Sequence, residues 1–139
     1  MVRWLARNPR YLPLFIAIGW FLARVAARLR KSDLPAFVRN LRCGRYPHGP
    51  PEAIRVISWF WLHHVFGDRN TCYGRALTLY RFLEAADDDV RLHMGIEPRP
   101  DAAQRLRAHA WVSHRGSIVE GPVEAFEGTL REVPLERPA

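Results

Sequence analysis

Three residues of the types that catalyse acyl transfer lie in the second half of the chain: Cys72, His109 and Glu120. A thiol attacks as its thiolate, and the free N–H groups at the start of a helix stabilise that anion. Cys72 falls in the first turn of a predicted helix, directly after polar residues that are suited to capping. This position is typical of a nucleophilic cysteine.

The same helix supports a second interpretation of Cys72. Ala76, Leu79 and Leu83 follow it at four, seven and eleven residues, which places Cys72 on the face that points towards the predicted sheet. A cysteine on a core-facing stripe is more often a small packing residue than a nucleophile. The helix alone therefore favours packing, and the choice depends on the residues that lie opposite.

A base and an acid for Cys72 come from a predicted β-hairpin, AHAWVSHRGSIVEGP. A turn of two or four residues would set His109 opposite Pro122. It would also bring Glu120 to the same face at the diagonal position, within reach of the imidazole. A turn of three residues would put Val119 on that face instead. Taken singly, His109 is typical of a strand histidine and Glu120 of a solvated edge residue.

Predicted helices precede predicted strands along the chain. Pro51–Gly67 begins with proline and glutamate, which predicts a helix. Its core face should carry Ile54, Ile57, Trp61 and Val65. Apolar residues alternate over Val90–Glu97, which predicts a half-buried strand. The order indicates an α+β fold in which a small, mainly antiparallel sheet packs on the Cys72 helix.

Charge divides the chain at a linker rich in proline and glycine. Residues 1–50 hold ten basic and one acidic residue, a net charge of +9, whereas residues 51–139 hold eleven basic and thirteen acidic residues, a net charge of −2. We therefore predict a basic, apolar helical portion over 1–50 and a core over 51–139 within one compact domain. Two cysteines and no secretory pattern indicate a reducing, cytoplasmic setting.

Tyr11–Lys31 predicts a helix that is apolar on every side up to Ala23 and amphipathic beyond it. Its thirteen uninterrupted apolar residues fall short of the roughly 20 that cross a bilayer. Two interpretations stay open. The helix packs against the domain or a partner, which is slightly favoured, or it makes peripheral contact with a membrane surface through Trp4 and Trp20. The front portion is too apolar for a nucleic-acid-binding arm, so no nucleic-acid partner is expected.

Two segments together resemble a known family. CYGRALTLYRFL, which contains Cys72 and Arg75, is followed by a strand ending HMGIEPRP and then by RAHAWVSHRGSIVEGP, which contains His109 and Trp111. In this order and spacing they are similar to the stand-alone B2 leader peptidases of lasso-peptide biosynthesis, which are small transglutaminase-like cysteine proteases. The resemblance covers about residues 51–127 and implies a papain-like core.

The resemblance also implies the roles of the site residues. Cys72 would be the nucleophile and His109 the base of a Cys-His-acid triad. Glu120 stands where the family has aspartate, no aspartate follows His109, and Glu124 is the reserve. The implied activity removes the leader from a ribosomally made precursor peptide, without a cofactor or metal. The implied partners are that precursor, a separate leader-recognition protein and an asparagine-synthetase-like lasso cyclase.

Two alternatives keep the fold and change the activity. The domain could transfer its acyl group to an amine, or serve as an inactive scaffold in a peptide-modifying complex. Glu120 in place of aspartate keeps both open. A metal site that uses Cys72 and the histidines is disfavoured, because neither CxxC nor HExxH spacing occurs.

Overall fold

The computed structural model describes residues 1–28, 41, 45–67, 71–85, 89–97, 107–120 and 131–132. Within these ranges the helices are α1 (Val2–Arg7), a 3₁₀ turn (Pro9–Tyr11), α2 (Leu12–Arg28), α3 (Pro51–His64) and α4 (Thr71–Phe82). The strands are β1 (Val90–Glu97), β2 (Arg107–His114), β3 (Ser117–Glu120) and β4 (Arg131–Glu132). The predicted α+β order, helices before strands, is confirmed.

The core face predicted for α3 is confirmed at most of its residues and is wrong at one. Proline and Glu52 occupy its first turn, where a missing N–H costs nothing and a negative charge complements the helix dipole. Ile54 and Ile57 are fully buried, and Trp61 is half-buried. Val65 is 53% exposed, so its predicted core position is wrong. The helix ends at His64, so Val65 is the residue that caps it.

The four strands form one antiparallel sheet in the order β3-β2-β1-β4. β1 and β2 pair over their whole length, from Val90 opposite His114 to Glu97 opposite Arg107. The alternation predicted for β1 is present at its start, where Val90 and Leu92 are buried and Arg91 is exposed, but not beyond, where His93 and Met94 are both half-buried and Gly95 is buried. The small antiparallel sheet is therefore confirmed, and α4 packs against both central strands.

One hydrophobic core joins the front of the chain to the rest. It takes buried side chains from α2, α3, α4, β1 and β2, with Ile18, Ile57, Leu77 and Val112 among those with no exposure. The proline- and glycine-rich linker is bonded to the end of α4. Gly49 donates its N–H to the carbonyl of Phe82 at 2.9 Å, and its own carbonyl accepts from the N–H of Glu84 at 3.0 Å. The change in charge near residue 50 thus falls inside a continuously packed unit.

Candidate active site

Cys72 is the second residue of α4, so it lies in the first helical turn as the sequence predicts. Its side chain is half-buried and forms no disulfide. Ala76, Leu79 and Leu83, the residues predicted to share its stripe, are 4% exposed or less. Cys72 therefore lies where the buried stripe of α4 meets more accessible space. Cys43 lies outside the described residues.

Arg75 is one turn along α4 from Cys72, at the i, i+3 spacing that makes side chains neighbours. It is half-buried, and burial lowers the pKa of its guanidinium, while the anionic thiolate of Cys72 acts in the opposite direction and raises that pKa. The exposed Arg55 on α3 adds a second cation, which lowers the pKa of Arg75 further. The start of α4 is thus electropositive.

His109 lies on β2, directly opposite the buried Gly95 of β1. Its Nε2 atom is shielded from solvent. Burial lowers the pKa of this imidazole, and the positive charge of Arg75 lowers the pKa further. Arg75 therefore lies within electrostatic reach of both Cys72 and His109. The predicted nucleophile on α4 and the predicted base on β2 thus share an electrostatic neighbour, Arg75.

The face of the sheet that carries His109 also carries stacked aromatic rings. Trp111 stacks on His109 with ring centroids 6.0 Å apart and on His93 of β1 at 5.4 Å. His93 in turn makes a hydrogen bond through Nε2 with the hydroxyl of the buried Ser113 at 2.7 Å. Trp111 lies on the face of His109, as the sequence indicates, and its indole restricts the orientation of the imidazole that stacks on it.

Tyr73 follows Cys72 and carries a buried hydroxyl. Burial raises the pKa of Tyr73 to about 12, so the phenol stays protonated at neutral pH. Among the described residues that hydroxyl has no hydrogen-bond partner. An unsatisfied buried hydroxyl costs free energy of folding, because it gives up its hydrogen bonds to water.

The hairpin has a two-residue turn, one of the lengths that the sequence left open, and its register is not the regular one. Arg115 and Gly116 have φ angles of 51° and 78°, as a type I′ turn requires. His114 faces Ser117, and a β-bulge between Val112 and Ser113 then shifts the register by one residue.

The bulge changes the pairing predicted for Glu120. Glu120 pairs with Val112, and residues 109 and 112 lie on opposite faces of a strand. The hairpin register that would set His109 and Glu120 on one face is therefore not present. The side chain of Glu120, together with Pro122 and Glu124, lies outside the described part of the structure.

Two arginines and a histidine form part of this site without having been assigned roles from the sequence. The i, i+3 spacing of Cys72 and Arg75 was a usable signal for Arg75. Arg55, whose guanidinium donates to the carbonyl of Val119, and His93 come from other elements, so no local pattern could identify them. Within the described residues, no group of three or more potential metal ligands is found.

Comparison with known proteins identifies the chain at the level of a superfamily. No curated protein and no solved structure matches the chain. The sequence model of the transglutaminase-like superfamily matches residues 17–131, which include most of α2 together with Cys72 and His109. The match also crosses the linker between the predicted front and core portions. The chain thus belongs to the transglutaminase-like superfamily and has a domain of the cysteine-protease type.

Proposed function

We propose that this protein is a cysteine peptidase that removes the leader from a ribosomally made lasso-peptide precursor. The observation that carries the proposal is the electrostatic link from Cys72 through Arg75 to His109 within a transglutaminase-like domain. The particular substrate rests on the resemblance of the Cys72 and His109 segments to the B2 leader peptidases. The peptidase assignment rests on the site itself.

The lowered pKa of His109 favours a neutral imidazole, which accepts a proton. During attack, the Cys72 thiol would give its proton to His109 while its sulfur forms a bond to the scissile carbonyl carbon. His109 would then give that proton to the leaving amine, so the C–N bond breaks and a thioester remains. A water molecule, deprotonated by His109, would cleave the thioester to a carboxylate and restore the thiol.

The oxyanion that forms during attack needs hydrogen-bond donors. The backbone N–H of Cys72 suits this role, because the first N–H groups of a helix have no partner within the helix. The positive charge of Arg75 also favours the oxyanion at this point. Arg75 thus assists attack in our proposal and at the same time disfavours a long-lived imidazolium at His109.

The acid that orients His109 is proposed from chain position alone. Glu120 remains the first candidate, since the resemblance aligns it with the family aspartate, and Glu124 is the second. Separate Glu120→Gln and Glu124→Gln variants distinguish them. The true triad member should lose leader cleavage by about tenfold or more, while the other should stay near wild type.

The proposed reaction takes place in the cytoplasm with three partners: the precursor peptide, a separate leader-recognition protein and an asparagine-synthetase-like cyclase. The test mixes the purified full chain with a candidate precursor and its leader-binding protein and follows leader release by mass spectrometry. Wild type and Cys43→Ala should release leader, and Cys72→Ala should not. Cys43→Ala is the matched control, since it removes the chain's other thiol.

Three outcomes would contradict the proposal. Leader release by Cys72→Ala at the wild-type rate would exclude Cys72 as the nucleophile. An amide-linked product from wild type would assign acyl transfer, the second activity typical of this superfamily. Absence of any covalent change in the precursor, with the cyclase also present, would assign a scaffold role.

A further inference from the structure

The solvent-facing side of α2 is almost entirely apolar. Its large side chains Leu12, Ile16 and Trp20 are 49%, 61% and 68% exposed and follow one another at one-turn spacing. Arg24 is the one charged residue among the exposed positions of α2 whose burial is described. A surface helix of a globular protein normally presents charged and polar residues on this side. The exposed ridge Leu12-Ile16-Trp20 therefore needs a different explanation.

The opposite side of α2 is fixed in the core. Its buried side chains are Leu14, Ile18, Phe21, Leu22 and Val25. Among the described residues, Pro9–Ala27 is long and apolar enough by length and composition to cross a membrane, although only 33% of it is buried in the domain. Spanning a bilayer would pull the five core residues out of their packing. A helix held in this way can lie in a membrane surface without unfolding the domain.

Basic residues flank the ridge on both sides. Arg3, Arg7 and Arg10 are exposed just before α2, and Arg24 is exposed near its end. No acidic residue occurs before Asp33. Close to the three arginines, Trp4 stacks on Tyr11 with ring centroids 5.6 Å apart. Aromatic rings and arginines at the ends of an apolar ridge are typical of the boundary between lipid headgroups and acyl chains.

We propose that the ridge Leu12-Ile16-Trp20 inserts into the surface of an anionic lipid bilayer, with α2 parallel to the membrane plane. The arginines on either side contact anionic headgroups. A protein partner would require a groove complementary to a single row of side chains, whereas a fluid bilayer accepts such a row without a preformed groove. The residues that flank the ridge carry only positive charge, which favours an anionic membrane over a neutral one. This proposal does not depend on the proposed peptidase activity.

Co-sedimentation of the full chain with lipid vesicles tests the proposal. The probes are phosphatidylcholine vesicles and vesicles of the same size that also contain phosphatidylglycerol. Wild type should bind the anionic vesicles more tightly, and added salt should weaken that binding. Ile16→Glu should reduce binding by about tenfold or more, since it replaces an inserted apolar side chain with a charge that the membrane repels.

Ile118→Glu is the matched control, because Ile118 is 47% exposed on β3 and does not belong to the ridge. It should bind vesicles as wild type does. Circular dichroism should show that both variants are folded, as is expected for substitutions at exposed positions. Replacement of Arg3, Arg7 and Arg10 together by glutamine should also reduce binding to anionic vesicles by about tenfold or more and leave the weaker binding to neutral vesicles unchanged.

Three results would overturn the proposal: no sedimentation with anionic vesicles, equal affinity for both vesicle types, or equal loss in Ile16→Glu and Ile118→Glu. Self-association that Ile16→Glu disperses, without vesicle binding, would assign the ridge to a second copy of the chain. Leader cleavage in solution provides an independent readout. Ile16→Glu should keep that activity, so failure of membrane binding and failure of the peptidase proposal would be distinguishable.

Discussion

The helices α2 and α4 both pack against α3, but they differ in how far they are enclosed. α2 is the more hydrophobic in sequence, yet it exposes a row of large apolar side chains. α4 contains Cys72, Arg75 and other polar groups, yet every residue from 72 to 82 is buried or half-buried. Hydrophobic content therefore gives the wrong order of burial for these two helices.

The difference follows from their places in the fold. α4 has α2 and α3 on one side and the strands β1 and β2 on another, so its reactive groups are partly removed from water. Partial burial is what allows Arg75 to act on His109, because water screens charges between exposed groups. Within the described part of the chain, α2 packs on α3 and α4 with one side and leaves its other side exposed. The partly buried α4 suits a catalytic site, and the exposed side of α2 suits contact with a membrane.

The largest expected effect concerns the enclosed site. His109→Gln should reduce leader cleavage by roughly 10²- to 10⁴-fold, the usual contribution of a general base. The matched control is His93→Gln, which alters the histidine on the other side of Trp111. We expect that variant to lose less than about tenfold, since His93 would act only by positioning. Single-turnover cleavage followed by mass spectrometry measures both, and equal losses would show that His109 has no special role.

The next effect compares how each helix contacts α3. A Cβ added at Gly19 of α2 would lie 2.5 Å from the Trp61 ring, whose Nε1 donates to the carbonyl of Phe15 at 3.0 Å. A Cβ at Gly74 of α4 would lie 3.0 Å from a methyl group of Leu62, which can move.

Gly19→Ala should lower the free energy of unfolding by about 1 to 2 kcal/mol, because the clash with a fixed ring exceeds the gain in helix propensity. Gly74→Ala should stay within about 0.5 kcal/mol of wild type, because the same gain offsets a small shift of Leu62. Urea denaturation measures both. A neutral Gly19→Ala variant would mean that the contact between α2 and α3 is loose, and that α2 is less firmly held than α4.

The sequence predicted this architecture well wherever one local pattern decided it. Alternation located β1, two strand-like runs around Arg115 and Gly116 located the hairpin, and the apolar stripe after Cys72 located α4. Val65 failed because it follows the last turn of α3, and periodicity does not mark where a helix ends. The regular register predicted for the hairpin failed because a bulge shifts it by one residue, and nothing in the run Ser117–Glu120 indicates a bulge.

For another reason, local sequence patterns could not predict which side of α2 is exposed or that Arg75 interacts with His109. A helix that is apolar on all sides does not show which side meets the core, so Leu12 and Leu14 look alike in sequence. Arg75 lies 34 positions from His109, and their interaction depends on how α4 packs on β2. Both features belong to tertiary structure, and both carry the functional proposals.

A smaller effect concerns pH. Burial and Arg75 hold the pKa of His109 below the ordinary histidine value of about 6.5, so its neutral, proton-accepting form persists at lower pH. Arg75→Gln removes one of these two causes and should raise that pKa. The acid limb of the kcat/KM profile should then move to higher pH. Arg75→Lys keeps the charge and should leave the limb near its wild-type position.

The same lowered pKa predicts how stability depends on pH. Because the unfolded chain binds the proton more readily, the contribution of neutral His109 to stability is complete above about pH 6.5 and is lost as pH falls through the lowered value. Denaturation at several pH values should show that Arg75→Gln reduces this acid-side loss. An unchanged activity limb and an unchanged stability profile would together place Arg75 outside the reach of His109.

The smallest expected effect concerns buried hydroxyl groups of α4. It tests whether burying them lowers the stability of the fold. Tyr73→Phe removes a buried hydroxyl that has no partner among the described residues, so stability should rise by up to about 1 kcal/mol. Thr78→Val removes a buried hydroxyl that donates to the carbonyl of Gly74 at 2.6 Å, so stability should fall by about 1 kcal/mol. Thermal and urea denaturation of the two variants should give opposite signs. A loss in both would mean that the Tyr73 hydroxyl is satisfied in solution, and that α4 encloses its polar groups without leaving a bonding group unpaired.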